Sequence, residues 1–126
     1  MIDERLAVYL DVMKQASVAA LAFTTGLSKA DFLRDQKTQY AVVMALIRIG
    51  ESVVKIERRS PEFIANHPDW PWNEVRAIRN RGAHDYQRLN FDIIWETARD
   101  SLPHLVILID ALGPLDPREQ TPHSAS

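Results

Sequence analysis

Apolar positions recur along most of the chain at steps of three and four, the period of a helix with one buried face. Ile2, Leu6, Tyr9, Leu10, Met13, Ala16, Ala20 and Leu21 form the first stripe, about five turns long. Thr24-Thr25-Gly26 closes it, with Gly26 suited to a left-handed cap. Ser28, followed three residues later by Asp31, predicts an N-cap and an acidic first turn for a short helix through Phe32 and Leu33. A second long stripe, from about Gln36 to Arg59, carries Tyr40, Val43, Met44, Ile47, Gly50 and Val54. Gly50 falls in mid-helix, where glycine costs about 1 kcal/mol relative to alanine. Such a residue marks a place where another helix approaches closely.

Ser60-Pro61-Glu62 reads as an N-cap, an N1 proline and an early acid, so a brief helix follows before Asn66-His67-Pro68-Asp69 breaks the chain. Pro71 restarts a helix with Trp72, Val75 and Ile78 inward, and Gly82 is expected to interrupt or weaken it near its end. Asn90 or Asp92 caps a last long helix whose Phe91, Ile94, Ala98, Leu102, Leu105, Ile109 and Leu112 face the core. Pro103 within it predicts a kink, because its ring clashes with the preceding turn and it has no N–H to donate. No segment alternates polar and apolar residues long enough for a strand. The fold class is therefore all-α, an antiparallel bundle of four or five helices over residues 1–112. Residues 113–126, with Pro114, Pro117, Pro122, Ser124 and Ser126 and few apolar anchors, are expected to form a disordered tail.

Composition narrows the classes further. The chain has 126 residues, 46% of them apolar and 25% charged, which suits one ordinary globular domain. With no cysteine there is no disulfide framework, thiolate metal site or cysteine nucleophile. No apolar run approaches the ~18 residues of a membrane span. Asp3, Glu4 and Asp11 also argue against a secretory signal, so a cytoplasmic protein without a membrane partner is expected. The formal charge of −2 hides an asymmetry: residues 76–88 contain Arg76, Arg79, Arg81 and Arg88 against Asp85 alone, a net +3. A local arginine cluster can hold phosphates even in an acidic chain.

The densest polar cluster is Arg79-Asn80-Arg81-Gly82-Ala83-His84-Asp85-Tyr86. Metal-free RNA cleavage needs such types: a histidine to move protons at the 2′-hydroxyl or leaving oxygen, and a guanidinium to hold the scissile phosphate. In a regular helix, positions 79 and 84 stand about 140° apart, whereas Asn80 and His84 share a face. Convergence of Arg79 with His84 therefore requires long reach, a helix break near Gly82, or a second subunit; a helix C-terminus also carries Arg and His simply to complement its dipole. Glu51 either pairs with Lys55 one turn on or reaches Arg79 across a helix pair. His67, His84, His104 and His123 lack metal-ligand spacing, and the four isolated glycines form no phosphate loop, so no metal or cofactor is expected. Trp70, Trp72 and Trp95 read as core or interface aromatics, and His104 as a surface or partly buried residue.

Arg79-Asn80-x-x-x-His84-Asp85-Tyr86 resembles the R-x4-H-x-Y signature of HepT-like proteins, HEPN-superfamily ribonuclease toxins of toxin–antitoxin pairs. Lys37-Thr38-Gln39, Ile49-Gly50-Glu51, Pro71-Trp72, Ile94-Trp95-Glu96 and Asp100-Ser101-Leu102-Pro103 resemble further family blocks in the same order, so the likeness spans roughly residues 3–112. It implies a homodimeric HEPN bundle and metal-independent RNA cleavage by 2′-hydroxyl attack. Arg79 and His84 would be the catalytic pair, Asn80 and Glu51 would support them, and Arg76, Arg81 and Arg88 would contact RNA. Tyr86 matches the tyrosine to which an MntA-type nucleotidyltransferase antitoxin adds AMP, placing repulsive phosphates beside the cleft. Arg81-Gly82-Ala83 departs from the apolar residues that many relatives carry there. The alternative is a non-catalytic subunit that binds nucleotides or substrate for a nucleotidyltransferase.

Overall fold

The structure is a computed structural model that describes residues 2–84 and 88–115, with residues 83 and 84 described by their backbone. The expected tail beyond Leu115 lies outside the described residues, as does Tyr86. Helix α1 (Glu4–Thr24) is capped by Asp3, whose carboxylate accepts from the Leu6 N–H at 2.8 Å. It ends at Thr25, and Gly26 takes φ +82°. Short α2 (Lys29–Leu33) opens with a full capping box: Asp31 N–H donates to Ser28 Oγ, and Ser28 N–H donates to the Asp31 carboxylate. Asp35 caps α3 (Gln36–Arg59) through the Thr38 N–H and hydroxyl. These hydrogen bonds hold the carboxyl groups of Asp3, Asp31 and Asp35 below their ordinary range.

α4 (Pro61–Asn66) begins with the expected proline, but the Ser60 side chain makes no capping bond. α5 (Trp72–His84) runs through Gly82 without interruption, which corrects the expected break. Of the two candidate caps for the last helix, Asn90 serves, accepting from the N–H groups of Asp92 and Ile93. That helix is α6 (Phe91–Glu96), a π-helical turn (Thr97–Ser101) and α7 (Leu102–Asp110) in direct succession. The wider π turn immediately precedes Pro103, where an α-turn would bring the ring against a carbonyl. No strand occurs among the described residues.

The long helices alternate in direction. Asp3 meets Arg59 and Tyr9 lies under Lys55, so α1 and α3 are antiparallel. Lys14 meets Asp110 at 2.6 Å and Thr24 accepts from Arg99 at 3.0 Å, so α1 and α7 are antiparallel too. Leu10, Met13 and Ala20 of α1, Leu46, Ile49 and Val53 of α3, and Leu102, Leu105 and Ile109 of α7 fill the core. Phe32 from α2 closes one end against Phe91 and Trp95.

Two expectations change. By length and mean hydropathy (1.4), α1 would suffice to cross a membrane, contrary to the sequence reading, although its apolar stripe packs against α3 and α7 here. The stripe drawn along α3 also splits: Val43 is buried, but Tyr40 and Met44 are 51% and 57% exposed. The inward face belongs instead to Val42, Val43, Leu46, Ile49, Val53 and Ile56.

Candidate active site

The helix that carries the polar cluster is anchored at its start by aromatic packing. Trp70 stacks on Trp72 with centroids 5.1 Å apart, and Phe63 meets both rings edge-on. Trp72 Nε1–H donates to the His67 carbonyl at 2.8 Å. His67 stacks on Phe63 and donates from Nδ1 to the Phe63 carbonyl at 2.7 Å. Trp70 and Trp72 are buried and Trp95 half-buried, as core aromatics should be, while His104 is exposed. The turn that launches α5 is thereby fixed against α4.

From there α5 runs antiparallel to α3 along a seam of small residues. Gly50 lies beneath the Arg79 stem: a methyl group there would overlap Arg79 Cβ, and would stand 2.7 Å from Cγ and 3.3 Å from the Val75 carbonyl. Gly82 lies against Ile47, whose Cδ1 would be 3.0 Å from an added methyl. The close approach expected at Gly50 is thus made to α5, at the position of the arginine. Gly82 serves packing rather than a helix break.

Arg79 is oriented by two partners. Its Nε donates to Glu51 Oε1 at 2.9 Å, and its Nη1 donates to Asn80 Oδ1 at 3.0 Å. Of the two roles open to Glu51, the structure selects the one across the helix pair; Lys55 turns instead to the Tyr9 ring. Arg79 is 26% exposed and Glu51 44%, so the pair adds little to stability and chiefly aims the guanidinium. One turn earlier, Arg76 donates to Glu57 at 2.7 Å and to Asn73 at 2.8 Å. Its buried Nε has no partner among the described residues.

The described side chains of the cluster divide between two faces of α5. Arg76, Arg79, Asn80 and Glu51 share the α3–α5 flank. Position 84 ends the same unbroken helix, about 140° round the axis from position 79. Arg88 is exposed after the end of α5. Arg81, grouped with the other arginines by charge, points into a different groove on the back of α5, with Glu74, Glu96 and Asp100. The sequence reading missed that Tyr40 and Met44 lie exposed beside half-buried Ile47 on α3. Together with Gly82 these residues line an apolar groove of about 450 Å³. One further turn along the same side of α3 brings Glu51, so the groove leads to the Arg79 pair.

The fold and site together define the class, a small all-α bundle with a carboxylate-held arginine on one helix flank. The comparisons make that class specific. The ribonuclease HepT-like family matches residues 13–112. The chain is 34% identical over 97 residues to "Probable ribonuclease HepT" of Thermococcus cleftensis, covering 77% of this chain and 86% of the relative. It is 33% identical over 97 residues to "Putative RNase TTE0752" of Caldanaerobacter subterraneus subsp. tengcongensis, covering 77% and 84%. No solved structure matches the chain significantly. The chain belongs to the ribonuclease HepT-like family.

Proposed function

We propose that this endoribonuclease is a toxin that acts in the cytoplasm as a homodimer and cleaves RNA without a metal ion. The observation that carries the reading is the Arg79 guanidinium, fixed through Nε and Nη1 on a half-open helix flank. Nη2, with no hydrogen-bond partner among the described residues, is assigned to a phosphate oxygen, where it offsets the charge that grows in the transition state. In the proposed reaction the 2′-hydroxyl oxygen attacks the adjacent phosphorus and the 5′-oxygen leaves. The products are a 2′,3′-cyclic phosphate and a 5′-hydroxyl. One proton must leave the attacking oxygen and another must reach the departing one. His84 is assigned to this proton traffic, and a dimer supplies two copies, one for each step. Asn80 and Glu51 position Arg79, while Arg76 and Arg88 extend the contact to flanking phosphates. Arg81 faces carboxylates on the other side of α5, and RNA contact there is disfavoured.

The second copy docks, in this reading, on the apolar stripe of Tyr40, Met44 and Ile47. Exposed apolar groups contiguous with a polar site favour a partner surface. A two-fold contact there would set the C-terminal halves of two α5 helices side by side, around one strand. An MntA-type nucleotidyltransferase would neutralise the toxin by adding AMP to Tyr86, whose new phosphates would repel RNA.

The test is cleavage of total RNA by purified protein in EDTA. Cyclic-phosphate ends are expected from the wild type and are absent from folded Arg79→Ala and His84→Ala proteins. Intact RNA with the wild-type protein would overturn the nuclease reading in favour of a binding subunit. Cleavage retained in His84→Ala would overturn the assignment of the histidine.

A further inference from the structure

The back of α5 carries a second groove that the nuclease reading does not use. Ala77 and Ile78 of α5 and Ile93 of α6 form its floor, and the π-helical turn forms one wall, enclosing about 400 Å³. Ile93 is 48% exposed, a large aliphatic side chain left open to solvent. Three carboxylates stand on the rim, Glu74, Glu96 and Asp100, against the single guanidinium of Arg81. Glu74 accepts from the Ser101 hydroxyl at 2.8 Å, and Glu96 lies 3.5 Å from Lys29. The Asp100 and Arg81 side chains have no ionic partner among the described residues.

An apolar floor between two helices accepts the apolar edge of a third helix. With Lys29 counted against Glu96, the rim still carries one more negative than positive group, which favours a basic occupant over a polyphosphate backbone. The π turn that accommodates Pro103 forms one wall of the groove, and such turns are frequent at functional sites. Arg81 and Arg79 are two residues apart on α5, about 200° round the axis, so an occupant here leaves the Arg79 flank open.

We infer that this groove docks a partner protein through a basic amphipathic helix. The helix sets an aliphatic side chain on Ala77, Ile78 and Ile93, and a lysine or arginine against Asp100 and Glu96. The inference goes beyond the nuclease reading and stands whether or not the chain cleaves RNA.

Fluorescence anisotropy with two labelled synthetic helices tests it on the full chain. One helix carries leucines at i, i+4 and i+7 flanked by lysines, and the other has glutamates in place of the lysines. The lysine helix should bind, and about tenfold or more tighter than the glutamate helix. Its affinity should fall about tenfold in Asp100→Lys and again in Ile93→Asp, with helicity unchanged by circular dichroism and RNA cleavage unaffected. No binding of the lysine helix, equal binding of both helices, or full affinity retained in Asp100→Lys would overturn the inference. So would a change of oligomeric state in Ile93→Asp, which would make the groove a contact between copies of this chain.

Discussion

Gly50→Ala tests the contact on which the candidate site is built. In an ordinary helix this change stabilises by about 1 kcal/mol, because alanine loses less backbone freedom than glycine. Here the new methyl would overlap Arg79 Cβ and sit 2.7 Å from Cγ and 3.3 Å from the Val75 carbonyl oxygen. Carbon atoms prefer roughly 3.5–4.0 Å, so α5 must retreat by about 1 Å. Neither Cβ nor a carbonyl can rotate aside. The cost therefore falls at the upper end of the about 1–3 kcal/mol seen for overpacked cores, leaving a net loss of about 2 kcal/mol. Gly82→Ala is the matched control. Its methyl meets Ile47 Cδ1 at 3.0 Å and Cγ1 at 3.1 Å, both side-chain atoms at 3.0 Å or more that need give only a few tenths of an ångström. Its propensity gain should offset the contact, for a net change within about 0.5 kcal/mol of zero. Urea unfolding at unchanged m-value measures both. The same retreat of α5 draws Arg79 from Glu51, so RNA cleavage should fall in Gly50→Ala by more than the unfolded fraction explains. A Gly50→Ala protein as stable as Gly82→Ala would refute the reasoning.

Other consequences are open to direct measurement. Glu51→Gln keeps an acceptor for Arg79 Nε but removes the charge, whereas Glu51→Ala frees the guanidinium. Cleavage should be retained better in the glutamine variant, with both proteins within about 1 kcal/mol of wild-type stability, as expected for an exposed pair; equal activity in the two would remove Glu51 from the positioning role. If the proposed dimer docks on the Tyr40–Met44 stripe, Met44→Asp should sediment as a monomer where the wild type sediments as a dimer, and cleavage should fall with it; a wild-type monomer, or a dimer unchanged in the variant, would refute that docking. Cap carboxylates held below their ordinary range contribute stability that is fully present above the unfolded value of about 3.9. That stability is lost as pH falls through the folded values of Asp3, Asp31 and Asp35. Asp3→Asn, Asp31→Asn and Asp35→Asn, combined, should therefore flatten the acid limb of a stability–pH curve while retaining the helix caps.

Much of the bundle was legible because short-range chemistry marks helix ends: Ser28 with Asp31, Asn90, and Thr25-Gly26 act within a turn of themselves. Gly50 was legible for a related reason, since a mid-helix glycine has few uses besides close approach. Gly82 was misread because a glycine near a helix end looks the same whether it breaks the helix or admits a neighbour. Only Ile47, in another helix, decides between them. Tyr40 and Met44 matched the apolar period as well as the true core positions did, and periodicity cannot tell a face turned to the bundle from one left open. Pro103 signalled a disturbance, but not that a π turn would absorb it. The separation of Arg81 from Arg79 was available from two-residue spacing, and charge counting concealed it.

The aromatic clasp at Trp70 and Trp72 has a consequence for how this chain tolerates insertions and deletions. It pins the origin from which α5 is counted, and Arg79 follows Trp72 by seven residues, nearly two turns. Adding or removing one residue in that interval would leave the stacked rings undisturbed, yet swing the guanidinium through about 100° and away from Glu51. A one-residue insertion or deletion in this interval should therefore abolish the Arg79–Glu51 pair as surely as replacing the arginine, whereas surface substitutions within it should leave the pair in place.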